Sequence, residues 1–280
     1  MELLMFSGCE DEVEFEVEEG SERLVVEAWI MRYSWPEIET LYNRVRITKS
    51  IGPMSDESDI SGVKGATVIL KDINNVVDTF SYDKMGYYVS QVQLEYGVTY
   101  SLTIITEEGE EYRSASQKMP KPSYVDSIYV LDKSEIPEAA LSPDGQYVVV
   151  DHEVQEGHNF YRWEVSRRRG SKRSTRIILE DDKVFSGDYV ERRFLASAVD
   201  EVNNMSVEQG DTLAISREAI TEDAYRYLNQ RLNQQRYIGQ PFQTPPAPLE
   251  RNIYNVNNPD EVVLGFFSLS TTSNYLYVVE

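Results

Sequence analysis

Residues 24–30 alternate in polarity. Leu24, Val26, Ala28 and Ile30 fall on one face, while Val25, Glu27 and Trp29 fall on the other. A period of two is the pattern of a strand with one face buried, so Arg23–Met31 reads as the first strand. The same logic predicts strands at Tyr42–Thr48, Ala66–Lys71, Val77–Tyr82, Tyr87–Ser90, Val98–Thr106 and Glu111–Ser116. Turn-forming residues separate them: Asp72–Asn75, Met85-Gly86, Tyr96-Gly97 and Glu108-Gly109. Residues 50–65 are polar and contain glycine, and read as an excursion between strands.

Two prolines in KMPKPS (Lys118–Ser123) interrupt any ladder and mark an extended linker. Beyond it the alternation resumes at Val125–Leu131, Tyr147–Val154, Phe160–Arg168, Thr175–Leu179, Tyr189–Leu195, Thr212–Ser216, Val262–Leu269 and Tyr275–Val279. One helix breaks the series at residues 221–236. Thr221 caps it, Glu222 and Asp223 occupy the dipole-favoured first turn, and Ala224, Leu228 and Leu232 recur every four residues. The run Pro241–Pro248 suits neither a helix nor a central strand and reads as an extended segment.

Short strands punctuated by turns place the chain in the mainly β class, as two β-sandwiches. The division predicted is 1–22 as the end of a signal sequence and an acidic tether, 23–117 as an N-terminal sandwich, 118–124 as linker and 125–280 as a C-terminal sandwich carrying the helix. A length of 280 residues accommodates two such units.

Charge narrows the function. With 48 acidic against 27 basic residues the net charge is -21, which argues against a nucleic-acid partner and against adhesion of the folded surface to anionic lipid. The single cysteine excludes an internal disulfide and any multi-cysteine metal site.

That cysteine, Cys9, follows Leu3, Leu4, Met5, Phe6, Ser7 and Gly8. Apolar residues, then small ones, then cysteine resemble the end of a bacterial lipoprotein signal peptide, in which the thiol carries a diacylglycerol. Phe6 replaces the usual leucine, and no basic segment precedes the apolar stretch. Glu10, Asp11, Glu12, Glu14, Glu16, Glu18 and Glu19 follow; they read as a self-repelling tether, and also resemble a surface-export signal.

Several segments, in order, carry a wider resemblance: LVVEAWI (Leu24–Ile30), VKGATVILKD (Val63–Asp72), GYY (Gly86–Tyr88), YGVTYSLTI (Tyr96–Ile104), NFYRWEV (Asn159–Val165), Pro241–Pro248 and LGFFSLST (Leu264–Thr271). Together with Cys9 they resemble a family of Bacteroidota outer-membrane lipoproteins classed as domain of unknown function 4249. The resemblance implies an envelope lipoprotein, often encoded beside TonB-dependent transporters, and transfers one functional residue, Cys9, as the lipidation site. Residues 63–104 also resemble the immunoglobulin-like regulatory sandwich of carboxypeptidases. The second half looks fibronectin type III or immunoglobulin-like.

Catalytic signatures are sparse. No nucleophile elbow, phosphate loop, dinucleotide fingerprint or calcium loop occurs. His152-Glu153-Val154-Gln155-Glu156 lacks the second histidine of a metalloprotease and lies on a strand, where residues four apart stand about 13 Å from each other. His152 and His158 could flank a hairpin as metal ligands, or serve as ordinary polar hairpin residues. Arg167, Arg168 and Arg169 concentrate positive charge at a turn, readable as a contact for phosphates or an acidic partner, or as a solvated tip. Of 19 tyrosines most alternate within strands; Tyr225, Tyr227 and Tyr237, with Phe242, fall outside that pattern and form the candidate contact patch.

The expectation is therefore a non-enzymatic, cofactor-free protein held at the outer membrane through lipidated Cys9, with the cell-surface face favoured. It would act as an accessory to a TonB-dependent transporter in nutrient uptake. A structural or adhesion spacer and a hydrolase with a site at the domain junction are the rival readings.

Overall fold

The computed structural model describes residues 22–33, 43–52, 55–140, 142–185, 187–195, 206–236 and 247–280. The first seven strands follow the sequence pattern closely: β1 (Leu24–Tyr33), β2 (Asn43–Lys49), β3 (Thr67–Asp72), β4 (Val76–Tyr82), β5 (Tyr87–Ser90), β6 (Thr99–Ile105) and β7 (Glu111–Ser114). A two-residue strand, β8 (Gln117–Lys118), pairs with β6. The second half contributes β9 (Ser127–Asp132), β10 (Gln146–Glu153), β11 (Phe160–Arg169), β12 (Lys172–Asp181), β13 (Tyr189–Phe194) and β14 (Thr212–Ile220). Helix α1 (Glu222–Arg236) comes next, followed by β15 (Ile253–Asn255) and β16 (Leu264–Val278).

The architecture is mainly β. One large mixed sheet runs β12-β11-β14-β16-β1-β2-β5-β4-β3-β6-β7-β15, and a second sheet runs β13-β10-β9. The large sheet folds over itself at β4. Val76–Phe80 pair with β3, whereas Ser81 and Tyr82 pair with β5. The result is a first sandwich with Val26, Ala28, Ile30, Val45 and Ile47 on one layer and Val68, Leu70, Leu102 and Ile104 on the other. In the second sandwich β12, β11, β14 and the end of β16 face the three-stranded sheet. Tyr161, Trp163, Val165, Leu213 and Ile215 meet Val148 and Val150 there.

Strand β16 joins the two sandwiches. The sequence predicts two strands at its position, Val262–Leu269 and Tyr275–Val279, but a single one is formed. Ser270–Asn274 contain no glycine or proline to stop it, and β-branched Thr271 and Thr272 favour extension. The first part of β16 runs parallel to β1, from the Val25–Leu264 pair to Tyr33–Thr272. The last part pairs antiparallel with β14, from Ile220–Ser270 to Thr212–Val278. The parallel pairing with β1 brings Val263, Phe267 and Leu269, together with Ile253 of β15, into the first core, while Val279, just past the other end of β16, is buried in the second. Residues after the 118–124 linker thus divide between both cores.

The linker itself is pinned by its carbonyls. Pro120 O accepts the Thr271 hydroxyl at 2.8 Å, Pro122 O accepts the Gln155 amide, and Tyr124 O accepts a guanidinium N–H of Arg217 at 3.0 Å. The end of the 50–65 excursion is also tied to β2: Val63 N donates to Ile47 O at 2.9 Å.

Candidate functional site

The outward face of the large sheet carries the only α-helix of the described residues. Thr221 Oγ1 accepts the Ala224 N–H at 3.3 Å, the cap that the sequence predicts. Ala224 and Tyr227 are buried against Phe160, Ile220 and Phe266. Tyr227 stacks on Phe266 with ring centroids 4.5 Å apart, and Trp29 of β1 lies 6.2 Å from Tyr227. Burial holds the Tyr227 phenol above its ordinary value.

Beside this aromatic cluster, α1 and the sheet leave a pocket of about 390 Å³. Its walls are Trp29 and Met31 of β1, Ile177 and Leu179 of β12, and Leu228 and Leu232 of α1; Arg162, Glu218, Arg231 and Gln235 complete it. Cross-strand register explains the floor. Leu179, Arg162, Glu218, Thr272 and Tyr33 stand opposite one another across β12, β11, β14, β16 and β1. Directly opposed residues share a face, so this row places one cation against one anion in an apolar setting. Arg162 Nη1 meets Glu218 Oε2 at 2.9 Å and Nη2 meets Glu164 Oε2 at 2.8 Å. Burial pulls the Arg162 guanidinium down, but the charges and hydrogen bonds of Glu218 and Glu164 outweigh it and hold the group above its ordinary value. Burial, reinforced by Glu218, raises the Tyr33 phenol. Chemically, the pocket offers apolar walls, a floor where one guanidinium is shared by two carboxylates, and polar side chains at its mouth.

The two histidines do not meet in one metal site. His152 faces into the second sandwich and is 1% exposed, its ring 5.8 Å from Trp163 and 5.9 Å from Phe185. Its Nδ1 lies 3.0 Å from Glu153 O, and since a carbonyl only accepts, Nδ1 carries the proton. His158 sits at the surface, with Nε2 2.7 Å from Asp181 Oδ1. The strand places His152 inward and the turn places His158 outward, which is why six residues of sequence spacing do not bring them together. His158, Asp181 and Asp182 do form a group whose ligand atoms lie within 4.8 Å of one another. Those carboxylates are engaged as acceptors, Asp182 by the Asn159 backbone and side chain at 2.9 and 2.8 Å, Asp181 by Lys183 N at 3.0 Å. His158 also borders a shallow cleft of about 720 Å³ floored by the 118–121 and 153–156 segments.

The arginine turn divides likewise. Arg169 grips Asp211 through two N–H donors at 2.8 Å each and Glu208 at 2.6 Å. Arg167 donates to Ser206 O and, at 3.2 Å, to Ser174 Oγ. Alternation turns these two toward the end of the sandwich and leaves Arg168 exposed, its Nε on Gly170 O. Tyr225, offered as a contact residue, is half-buried on α1 and packs its ring 5.0 Å from Phe160. Cys9, Tyr237 and Phe242 lie outside the described residues. Sequence reasoning missed Arg162, Glu218, Leu228 and Trp29 as a group, because the β11–β14 and β1–β16 registers that assemble them are long-range.

A family model described as a domain of unknown function (DUF4249) matches residues 10–275. No curated protein matches the chain. No described helix is long and apolar enough to cross a membrane.

Proposed function

We propose, taking as premise that the chain belongs to the DUF4249 family of unknown function, that it is a binding protein of the outer membrane and not an enzyme. Lipid on Cys9 anchors it, the acidic segment spaces it from the head groups, and the double sandwich serves as an accessory to a TonB-dependent transporter in nutrient uptake. The observation that supports binding is the pocket under α1. Its one buried carboxylate, Glu218, is neutralised by Arg162 at 2.9 Å, an arrangement that stabilises a fixed shape and holds a ligand without activating it. Its walls come from both halves of the chain, so an occupant would lock them together.

Anchoring through one acyl chain is marginal, whereas the two or three chains of a mature lipoprotein are sufficient. Changing Cys9→Ala in the gene expressed with its complete leader should therefore move the protein into the soluble fraction. Retention of the variant in the membrane pellet would overturn the anchor. Cross-linking of the native protein in intact cells should capture a barrel transporter, and its repeated absence would remove the accessory role.

A further inference from the structure

We infer that the pocket under α1 takes a small amphipathic carboxylate, its apolar chain along Trp29, Met31, Leu228 and Leu232 and its carboxylate on Arg231 and Gln235. This assignment deepens the binding reading above and does not depend on the membrane anchor. Three features of the pocket set the ligand's chemistry.

The first is size. About 390 Å³ stands near the lower end of the range for small-molecule sites, which suits one short chain or ring and not an oligosaccharide. The second is lining. Six of the ten lining residues are apolar: Trp29, Met31, Ile177, Leu179, Leu228 and Leu232. A sugar would leave hydroxyls against these walls without partners, at a cost of about 1–3 kcal/mol for each.

The third is the placement of charge. At the floor Arg162 is held between Glu218 and Glu164, at 2.9 and 2.8 Å, so the trio carries one net negative charge and repels a second anion. A cationic head at that depth would have to shed its water and displace Arg162 from Glu218, which is 4% exposed. The mouth differs. Arg231 and Gln235 stand one helical turn apart on α1, both exposed, and neither side chain makes an ion pair or hydrogen bond with the described residues. A guanidinium fork beside an amide N–H matches a carboxylate. The polarity of the pocket thus runs from negative floor to positive rim, and only a ligand with its anionic end outward fits both. The screening length at physiological ionic strength is about 8 Å, so the adjacent Arg231 governs the head group despite the overall charge of -21.

Isothermal titration calorimetry with octanoate, 1-octanol and octylamine on the folded chain tests this. Octanoate should bind more tightly than either analogue. Arg231→Ala should weaken octanoate by roughly three- to fivefold, as an exposed ion pair allows, and leave octanol unchanged; Arg231→Lys should recover part of the loss. Leu232→Glu, at a half-buried position, should abolish binding of octanoate and octanol with no change in thermal unfolding. Octanol or octylamine binding as well as octanoate would overturn the carboxylate class while leaving a binding pocket in place. Binding of none of the three would overturn the assignment and remove the pocket as support for the binding reading.

Discussion

The two sandwiches bury similar layers of strands but fill them with different chemistry. In the first, the interior is aliphatic and aromatic, and its buried tyrosines direct their hydroxyls to partners at the margins. Tyr88 donates to Val63 O at 3.1 Å and accepts from Ala66 N at 3.0 Å, and Tyr100 accepts from Glu95 N at 2.9 Å. The Tyr112 hydroxyl reaches Glu261 at 3.4 Å; burial, then that carboxylate's charge, pushes its phenol up to about 12. In the second sandwich a guanidinium lies in the middle. Arg217 is fully buried, with its carbon 4.2 Å from the Tyr161 ring centroid and 4.8 Å from that of Trp163. Nη1 donates to Tyr124 O, but Nε and Nη2 have no acceptor among the described residues. The nearby buried carboxylate, Glu180, accepts from Arg193 at Oε2 at 2.7 Å, and its Oε1 has no donor among the described residues. One core therefore combines apolar packing with tyrosine hydroxyls that find partners; the other carries buried charge whose hydrogen bonds are incomplete.

The largest effect should come from the seam between them. Gly265 has φ of 99°, and a Cβ there would stand 2.0 Å from Val26 O. Backbone, not a movable side-chain end, blocks the methyl, so Gly265→Ala should separate β16 from β1 and cost about 4 kcal/mol or more. Urea unfolding followed by tryptophan fluorescence and by circular dichroism should show coincident transitions for the wild type and separated ones for the variant. Coincident transitions in the variant would mean that the seam does not couple the two cores.

Next comes Leu102→Ala in the first core, where the side chain is 1% exposed among aliphatic neighbours. Lost transfer energy and the cavity left behind should together cost about 3 kcal/mol. In the second core, Arg217→Met should fall within about 1 kcal/mol of wild type, or stabilise it. Methionine keeps most of the volume and removes a buried charge that lacks a paired carboxylate. A loss as large as that of Leu102→Ala would show that Arg217 is fully compensated and would erase the contrast between the cores.

Much of this contrast lay hidden in the sequence, for a reason that can be located. Alternation in residues 24–30, 147–154 and 160–168 identified inward and outward faces, and Thr221 announced the helix, because strand period and capping are local. The strand at Thr212 was expected to stop at Ser216, where the apolar pattern gives way to Arg217 and Glu218. The strand in fact continues to Ile220. Continuation puts Arg217 in line with inward Leu213 and Ile215, and Glu218 on the outward face opposite Arg162. Two charged residues at the end of a predicted strand thus became the core cation and the pocket floor. Nor could local pattern find the β1–β16 pairing, since its partners, such as Val25 and Leu264, come from opposite ends of the chain.

The smallest predicted effect separates the cores by pH. His152 is buried beside Trp163, and first burial, then the charge of Arg217, holds its imidazole below the ordinary value of about 6.5. Glu180 pulls in the opposite direction and Arg193 in the same one. Because the folded-state value is depressed, the unfolded chain takes up the proton first as pH falls. Between the folded-state value and about 6.5 the unfolded state binds more protons, so stability rises with pH in that window and is fully present above it. The first core buries no histidine among the described residues and should show no such dependence. The urea midpoint of the wild type should therefore fall as pH drops from 7.5 towards 5.5, and His152→Gln should flatten that slope while Leu102→Ala leaves it intact. If His152→Gln retained the full pH dependence, the titrating group would lie elsewhere, and the buried polar cluster around Arg217 would have no measurable hold on the stability of the second sandwich.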